Sequence, residues 1–210
     1  MYFRLYSYIC EHNVSYVIMK FKSKKHRQLL ESAKDLFWKY GFKRVTVEEI
    51  CETASVSKMT FYRFYPNKME IAKAVFDMVI DKGIEDFREL MQSEISAPEK
   101  MRKMLQMKFE GTNDISKEFM MDFYNNPDLE VSAHIQKRSA EVWTSIIEDF
   151  RQGQREGWLR KDFKPEVILI LSQKIMELAS DEKVLSLYSN PQDLVMEIAN
   201  FFTYGISAHE

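Results

Sequence analysis

TVEEICETASVSKMTFYRFYPNK, residues 46–68, reads as two short helices meeting at a tight turn. Thr46 followed three residues later by Glu49 is a capping box, in which each side chain satisfies an otherwise orphaned backbone N–H at the helix start. Val47, Ile50, Cys51 and Ala54 recur at the spacing of one helical face, which is therefore expected to be buried. Ser57 is a good N-cap for a second helix. Along that helix Phe61, Phe64 and Tyr65 share the side of Ser57, while Lys58, Met59, Tyr62 and Arg63 cluster on the other. Two helices this short cannot enclose a core alone, so a third must support them. The pattern predicts a helix-turn-helix whose second helix turns a cationic, hydroxyl-bearing face to the major groove of duplex DNA.

The supporting helix lies just upstream. Leu29, Leu30, Ala33, Leu36, Phe37 and Tyr40 keep a 3.6-residue period behind a basic lead-in of Lys20, Lys22, Lys24, Lys25 and Arg27. Gly41 is expected to end this helix as a left-handed C′ residue. Residues 20–68 thus form a three-helix DNA-binding head. Residues 1–19 are apolar in flavour but broken by Glu11, His12 and Asn13, so they match neither a signal peptide nor a membrane span. Met19-Lys20 offers a natural start, and 1–19 are expected to be an appendage outside the fold.

Charge separates the head from the rest. Residues 19–68 hold 12 Lys and Arg against 5 Asp and Glu, a net of +7, whereas residues 69–210 hold 17 against 26, a net of −9. A basic block joined to an acidic remainder predicts one part that touches phosphate and one that does not. Cys10 and Cys51 offer no disulfide framework, and Cys51 falls on the buried stripe as a small apolar residue. With no long apolar segment, the chain is expected to stay off the membrane and to be cytoplasmic.

Beyond Lys68 the apolar period lengthens. Asn67 can cap a helix that carries Ile71, Val75, Phe76, Val79, Ile84, Phe87 and Met91, and Pro98, Pro127, Pro165 and Pro191 punctuate the remainder of the chain. Helices are predicted near 98–110, 115–124, 127–153, 165–181 and 191–206, with no period-2 strand, so the fold class is all-α: an N-terminal three-helix head joined to a helical ligand and dimerisation domain over 69–210. Helix 165–181 contains the unbroken run Val167–Leu171, and 191–206 carries Leu194, Ile198, Phe201, Phe202 and Ile206. Apolar cover on all sides of a terminal helix means either burial under residues 98–153 or a second subunit, and the latter is expected.

The residues from Leu29 to about Val75, and TFYRFYPNK at 60–68 above all, resemble the tetracycline-repressor (TetR) family of bacterial transcription regulators. The resemblance implies a homodimer on a palindromic operator in double-stranded DNA, paired through the helices near 165–181 and 191–206, with a small-molecule effector in the C-terminal domain. Carried over by position, it implies that Thr46 contacts phosphate, that Lys58, Met59 and Thr60 read bases and backbone, that Tyr62 and Arg63 contact groove and phosphate, and that Lys68 clamps the DNA backbone. Three positions depart from the family pattern. Ser55 stands where the turn usually has glycine, at a cost on the order of 1 kcal/mol for a left-handed residue. Cys51 replaces an alanine, and Phe64 lacks the hydrogen-bonding group that often meets phosphate.

The body is rich in Met and aromatic residues, which either fill a core or line a cavity for a small, largely apolar ligand. Phe87, Met91, Met104, Tyr124, His134 and Trp143 are the candidate ligand-binding residues. The four histidines are too dispersed for a metal site, and there is no phosphate-cradling glycine loop, nucleophile elbow or HExxH, so neither a metal, a cofactor nor an enzyme activity is expected. The leading expectation is a repressor released from DNA by its ligand; the alternative is a DNA-bound adaptor whose C-terminal domain binds a protein and no inducer.

Overall fold

A computed structural model describes residues 21–124, 130–179 and 181–207; inside the helices, a few side chains, Tyr124 and Trp143 among them, fall outside that description. The described residues are helical throughout apart from turns and one isolated antiparallel bridge, Leu159 to Ser207. None of these helices is long and apolar enough to cross a membrane.

The head is α1 (Lys24–Tyr40), α2 (Val47–Thr53) and α3 (Lys58–Phe64). Each opens where a short polar side chain replaces the missing turn: Ser23 Oγ accepts from His26 N at 3.2 Å, Thr46 Oγ1 from Glu49 N at 3.2 Å and Ser57 Oγ from Thr60 N at 3.2 Å. The capping box is complete, since Glu49 Oε2 accepts in turn from Thr46 N at 2.8 Å. Helix α4 (Lys68–Gln92), capped by Asn67, then leads into the body. The body comprises α5 (Ala97–Gly111), α6 (Lys117–Tyr124), α7 (Glu130–Glu156), α8 (Pro165–Ala179), a one-turn α9 (Glu182–Leu185) and α10 (Pro191–Ile206).

Two apolar clusters hold these helices. The first starts in the head with Leu29, Leu30, Phe37, Ile50 and Phe61, passes through Ile71 and Val75 of α4, and continues into Phe119, Met120 and Phe123 of α6. The ring of Phe37 lies 5.9 Å from that of Phe123, and Trp38 lies 4.4 Å from Phe119, centroid to centroid. Head and body therefore share one core, with α1 packed on α6 as well as on α2. The second cluster, Met101, Ile146, Phe150, Trp158, Leu159, Ile168 and Ile206, knits α5, α7, α8 and α10.

Some details depart from expectation. Gly41 has the expected positive φ of 76° but an extended ψ of 169°, so the chain leaves α1 stretched rather than curled into a left-handed cap. A Cβ there would stand 2.8 Å from Asp122 Oδ2 and 3.0 Å from Glu118 Cβ, so close approach to α6 requires glycine as much as the dihedral does. Ser55 does adopt the left-handed conformation, with φ 52°. Helix α7 runs three residues past 153 and stops at Gly157, whose φ is 84°. The short α9, capped by Asp181, has no counterpart among the helices expected from periodicity, because a single turn is too short to show one. The predicted Asn126-Pro127 cap lies outside the described residues, as do residues 1–19.

The terminal pair is only partly covered by its own chain. Residues 98–153 leave much of α8 and α10 uncovered: Ile170 is 60% exposed and Phe201 74%, and Val167, Leu171, Leu178 and Tyr204 are exposed with them.

Candidate nucleic-acid interface

Helix α3 is anchored from one side only. Phe61 is fully buried, Tyr65 closes the helix beneath it, and Val56 is buried in the preceding turn, where Val56 N reaches Cys51 O at 2.9 Å. This leaves Lys58, Met59, Tyr62 and Arg63 facing outward, with Met59 83% exposed. The amphipathic split read from the sequence is therefore the geometry of the helix.

Beneath α3 sits a contact that sequence reasoning missed. His26 is buried, its Nε2 lies 2.8 Å from the Tyr65 hydroxyl, and the two rings stack at 5.6 Å. Because Nδ1 accepts from Lys22 N at 3.3 Å, Nε2 is the protonated nitrogen and donates to Tyr65. Burial, and then the nearby Lys22 charge, lower the imidazole's affinity for a second proton. Burial likewise pushes the Tyr65 phenol up. The only sequence signal was spacing: His26 falls one turn before Leu30 on the apolar face of α1.

The hydroxyls and cations of the reading surface are partly engaged. Thr46 Oγ1 donates to Glu49 Oε2 at 2.9 Å, and Thr60 Oγ1 lies 3.0 Å from Ser57 Oγ. Lys58 Nζ is bonded to Glu48 Oε1, and the Arg63 guanidinium lies 5.3 Å from the Phe64 ring centroid.

Lys68 is engaged within its own chain. Its ammonium donates to three carbonyls of the α1–α2 loop, Phe42 O at 2.7 Å, Val45 O at 2.7 Å and Lys43 O at 3.3 Å. It also stands 4.3 Å from the Phe42 ring centroid. Three donors on three acceptors leave none for a phosphate, and burial lowers the Lys68 pKa. The same loop is held from the other side. Asp122 of α6, nearly buried, accepts from Lys43 N at 2.9 Å and pairs with Lys43 Nζ at 3.4 Å. The loop that delivers Thr46 to α2 is thus gripped by one residue of α4 and one of α6.

Four of the six candidate ligand residues have described side chains. Phe87, Met91 and Met104 pack against the second cluster. His134 is turned onto α4, with Nε2 2.9 Å from Asp77 Oδ1. The side chains of Tyr124 and Trp143 lie outside the described residues. A crevice of about 40 Å³ beside Met91 is lined also by Arg88, Asp149 and Trp158. Asp149 Oδ2 has no hydrogen-bond partner there; Arg88 Nε stands 3.8 Å away, and burial raises the carboxyl's pKa. A larger, apolar groove of about 480 Å³ opens between α8 and α10, walled by Phe163, Val167, Leu171, Ile175, Phe201 and Phe202.

Known proteins share this arrangement. Residues 29–75 match the family described as bacterial regulatory proteins, tetR family. The chain is 22% identical over 153 residues, 72% of its length and 80% of the relative's, to the uncharacterized HTH-type transcriptional regulator YhgD of Bacillus subtilis (strain 168). It is 44% identical over 46 residues, 22% of its length and 23% of the relative's, to the HTH-type transcriptional regulator YdeS of the same organism. Its fold is similar, at TM-score 0.65 and 15% identity, to that of the fatty acid degradation regulator FadR from Bacillus halodurans, over 89% of this chain and 98% of that one. Each of these relatives is named as a regulator. Residues 29–75 thus match the tetR family of bacterial regulatory proteins, and the chain around them shares the fold of solved regulators.

Proposed function

We propose that the protein is a homodimeric repressor that binds a palindromic operator through α3 and is released by a small, largely apolar ligand. The outward face of α3 carries this reading: Lys58, Met59, Thr60, Tyr62 and Arg63 project from a helix whose inner face is locked into the core. Arg63 and Lys58 reach guanine edges or phosphates, and the hydroxyls of Thr46, Thr60 and Tyr62 suit phosphate oxygens. Lys68 acts one step back, by holding the 42–45 loop that sets α2.

Pairing follows from the uncovered apolar surface of α8 and α10, which two copies would bury against each other. A dimer fixes the separation of the two heads, and a palindrome repeats its half-sites at that separation. A ligand that binds better when the heads are spread shifts the population away from DNA; one that binds both states equally shifts nothing. Met91, unbranched and adaptable, lines a crevice where such a ligand would enter, and Met101 and Met104 belong to the apolar cluster beside it. The 40 Å³ crevice there holds about one water. Its small size favours, as a second reading, an adaptor whose body binds a protein partner instead.

The test is fluorescence anisotropy of the purified protein on the duplex flanking its own gene, at several salt concentrations. Salt-sensitive binding far tighter than to random duplex supports the reading, and equal affinity for both overturns it. A thermal-shift screen with apolar ligands separates inducer from adaptor.

A further inference from the structure

The first turn of α3 carries an ion pair with no role in the function proposed so far. Lys58 Nζ is bonded to Glu48 Oε1 in the first turn of α2. Both side chains stay more than half exposed, at 56% and 58%, so the pair supports no core. Nor does Glu48 cap its helix, because Glu49 completes the capping box. Exposed pairs contribute little to stability, so this one matters through its place, beside Met59 and Tyr62 on the surface turned to DNA. Mutual contact holds the carboxyl ionised and the ammonium protonated, a fixed pair of opposite charges.

A carboxylate on such a surface repels phosphate and weakens binding to every sequence unless a donor meets it. The donors in the major groove are the amino groups of cytosine and adenine. A G·C pair presents two neighbouring acceptors, guanine N7 and O6, and then the cytosine N4 amino group. That order matches an ammonium beside a carboxylate. An A·T pair offers the ammonium one acceptor, adenine N7, instead of two, and sets the N6 amino donor directly beside it on the same base. It places the thymine O4 acceptor and methyl group, which a carboxylate cannot use, on the partner base.

We propose that Glu48 and Lys58 act as one base-reading unit that selects a G·C pair in each half-site, Lys58 donating to guanine and Glu48 accepting from cytosine N4. The inference rests on α3 being the groove helix. On DNA lacking that pair, Glu48 keeps Lys58 from serving as a free phosphate contact, so it also suppresses non-specific binding.

The experiment selects bound duplexes from a random library with the full chain, with Glu48→Ala, and with the swapped variant Glu48→Lys, Lys58→Glu; affinity for random duplex is measured against salt in parallel. The unaltered protein is expected to enrich one G·C pair per half-site. Glu48→Ala is expected to lose that preference by about fivefold to a hundredfold. It should also bind random duplex more tightly, with a log–log salt slope steeper by about 0.9 per head as Lys58 is freed. The swapped variant is expected to prefer the same base pair in the opposite orientation. Unchanged base preference and salt slope in Glu48→Ala, or an unreversed preference in the swap, overturns the proposal while leaving the DNA reading intact. Failure of the unaltered protein to bind any duplex in a salt-sensitive way overturns both.

Discussion

The head and the α8–α10 pair are both rich in large apolar side chains, and the chain treats them in opposite ways. In the head, Leu29, Leu30, Phe37, Ile50 and Phe61 are fully buried, and the surface left over is basic and polar. In the terminal pair, Ile170, Leu178, Phe201 and Tyr204 remain exposed around an apolar groove. The head's apolar faces find partners within their own chain, since α1, α4 and α6 supply the floor that α2 and α3 lack. Helices α8 and α10 have a buried side too, through Ile168, Leu194 and Ile206, but among the described residues nothing covers the other. An apolar side chain marks a need for cover, and the tertiary structure shows whether the chain supplies it.

The contrast can be broken at its strongest point first. Phe37→Ala removes a fully buried ring that meets Phe42 and Phe123, and should cost about 3–5 kcal/mol of unfolding free energy in urea titration. Phe201→Ala, an equal change of side chain at an exposed position, should move the urea midpoint of the separated monomer little, within about 0.5 kcal/mol. Phe201→Glu should instead shift sedimentation velocity from dimer to monomer. A dimer that persists would show that this surface is not where two copies meet.

Smaller effects sharpen the account of the head. Lys68→Ala leaves three loop carbonyls without their donor and should cost about 1–3 kcal/mol of stability. Arg63→Ala should leave stability unchanged while weakening operator binding by about 1–3 kcal/mol if the guanidinium reads a base. Measuring both quantities for both variants separates a residue that builds the head from one that touches DNA.

The smallest effect concerns pH. His26 holds its imidazole neutral below the ordinary value of 6.5, so the unfolded chain binds the proton more readily than the folded one. Stability then rises with pH through this window: its contribution is complete above about 6.5 and is lost as the pH falls below it. Chemical denaturation at pH 7.5 and pH 5.5 should show the loss, and His26→Gln should flatten that part of the profile.

Local chemistry made much of the head legible. Thr46 with Glu49, Ser57 and Asn67 each mark a helix start because their side chains replace a backbone acceptor within three residues, and all three form as read. The inner and outer faces of α3 follow from equally short spacings, whereas the left-handed turn at Ser55 was implied only by the resemblance to the family. Lys68 and His26 were harder, because a lysine at a helix start looks the same whether it meets a phosphate or three carbonyls 23 to 26 residues away. Asp122 carried no signal at all, since its partner Lys43 lies 79 residues away.

The longer helices, the caps at Thr46, Ser57 and Asn67, the basic and acidic division and the amphipathic face of α3 were readable from the order of residues, because each depends on neighbours within a turn or two. Folding in three dimensions was needed to establish that head and body share a core through α1 and α6, that Lys68 faces inward, that Glu48 meets Lys58, and that α8 and α10 are left uncovered. Those outcomes depend on which surfaces meet across long stretches of chain. No periodicity encodes that, because many different neighbours can satisfy the same apolar face or the same charge.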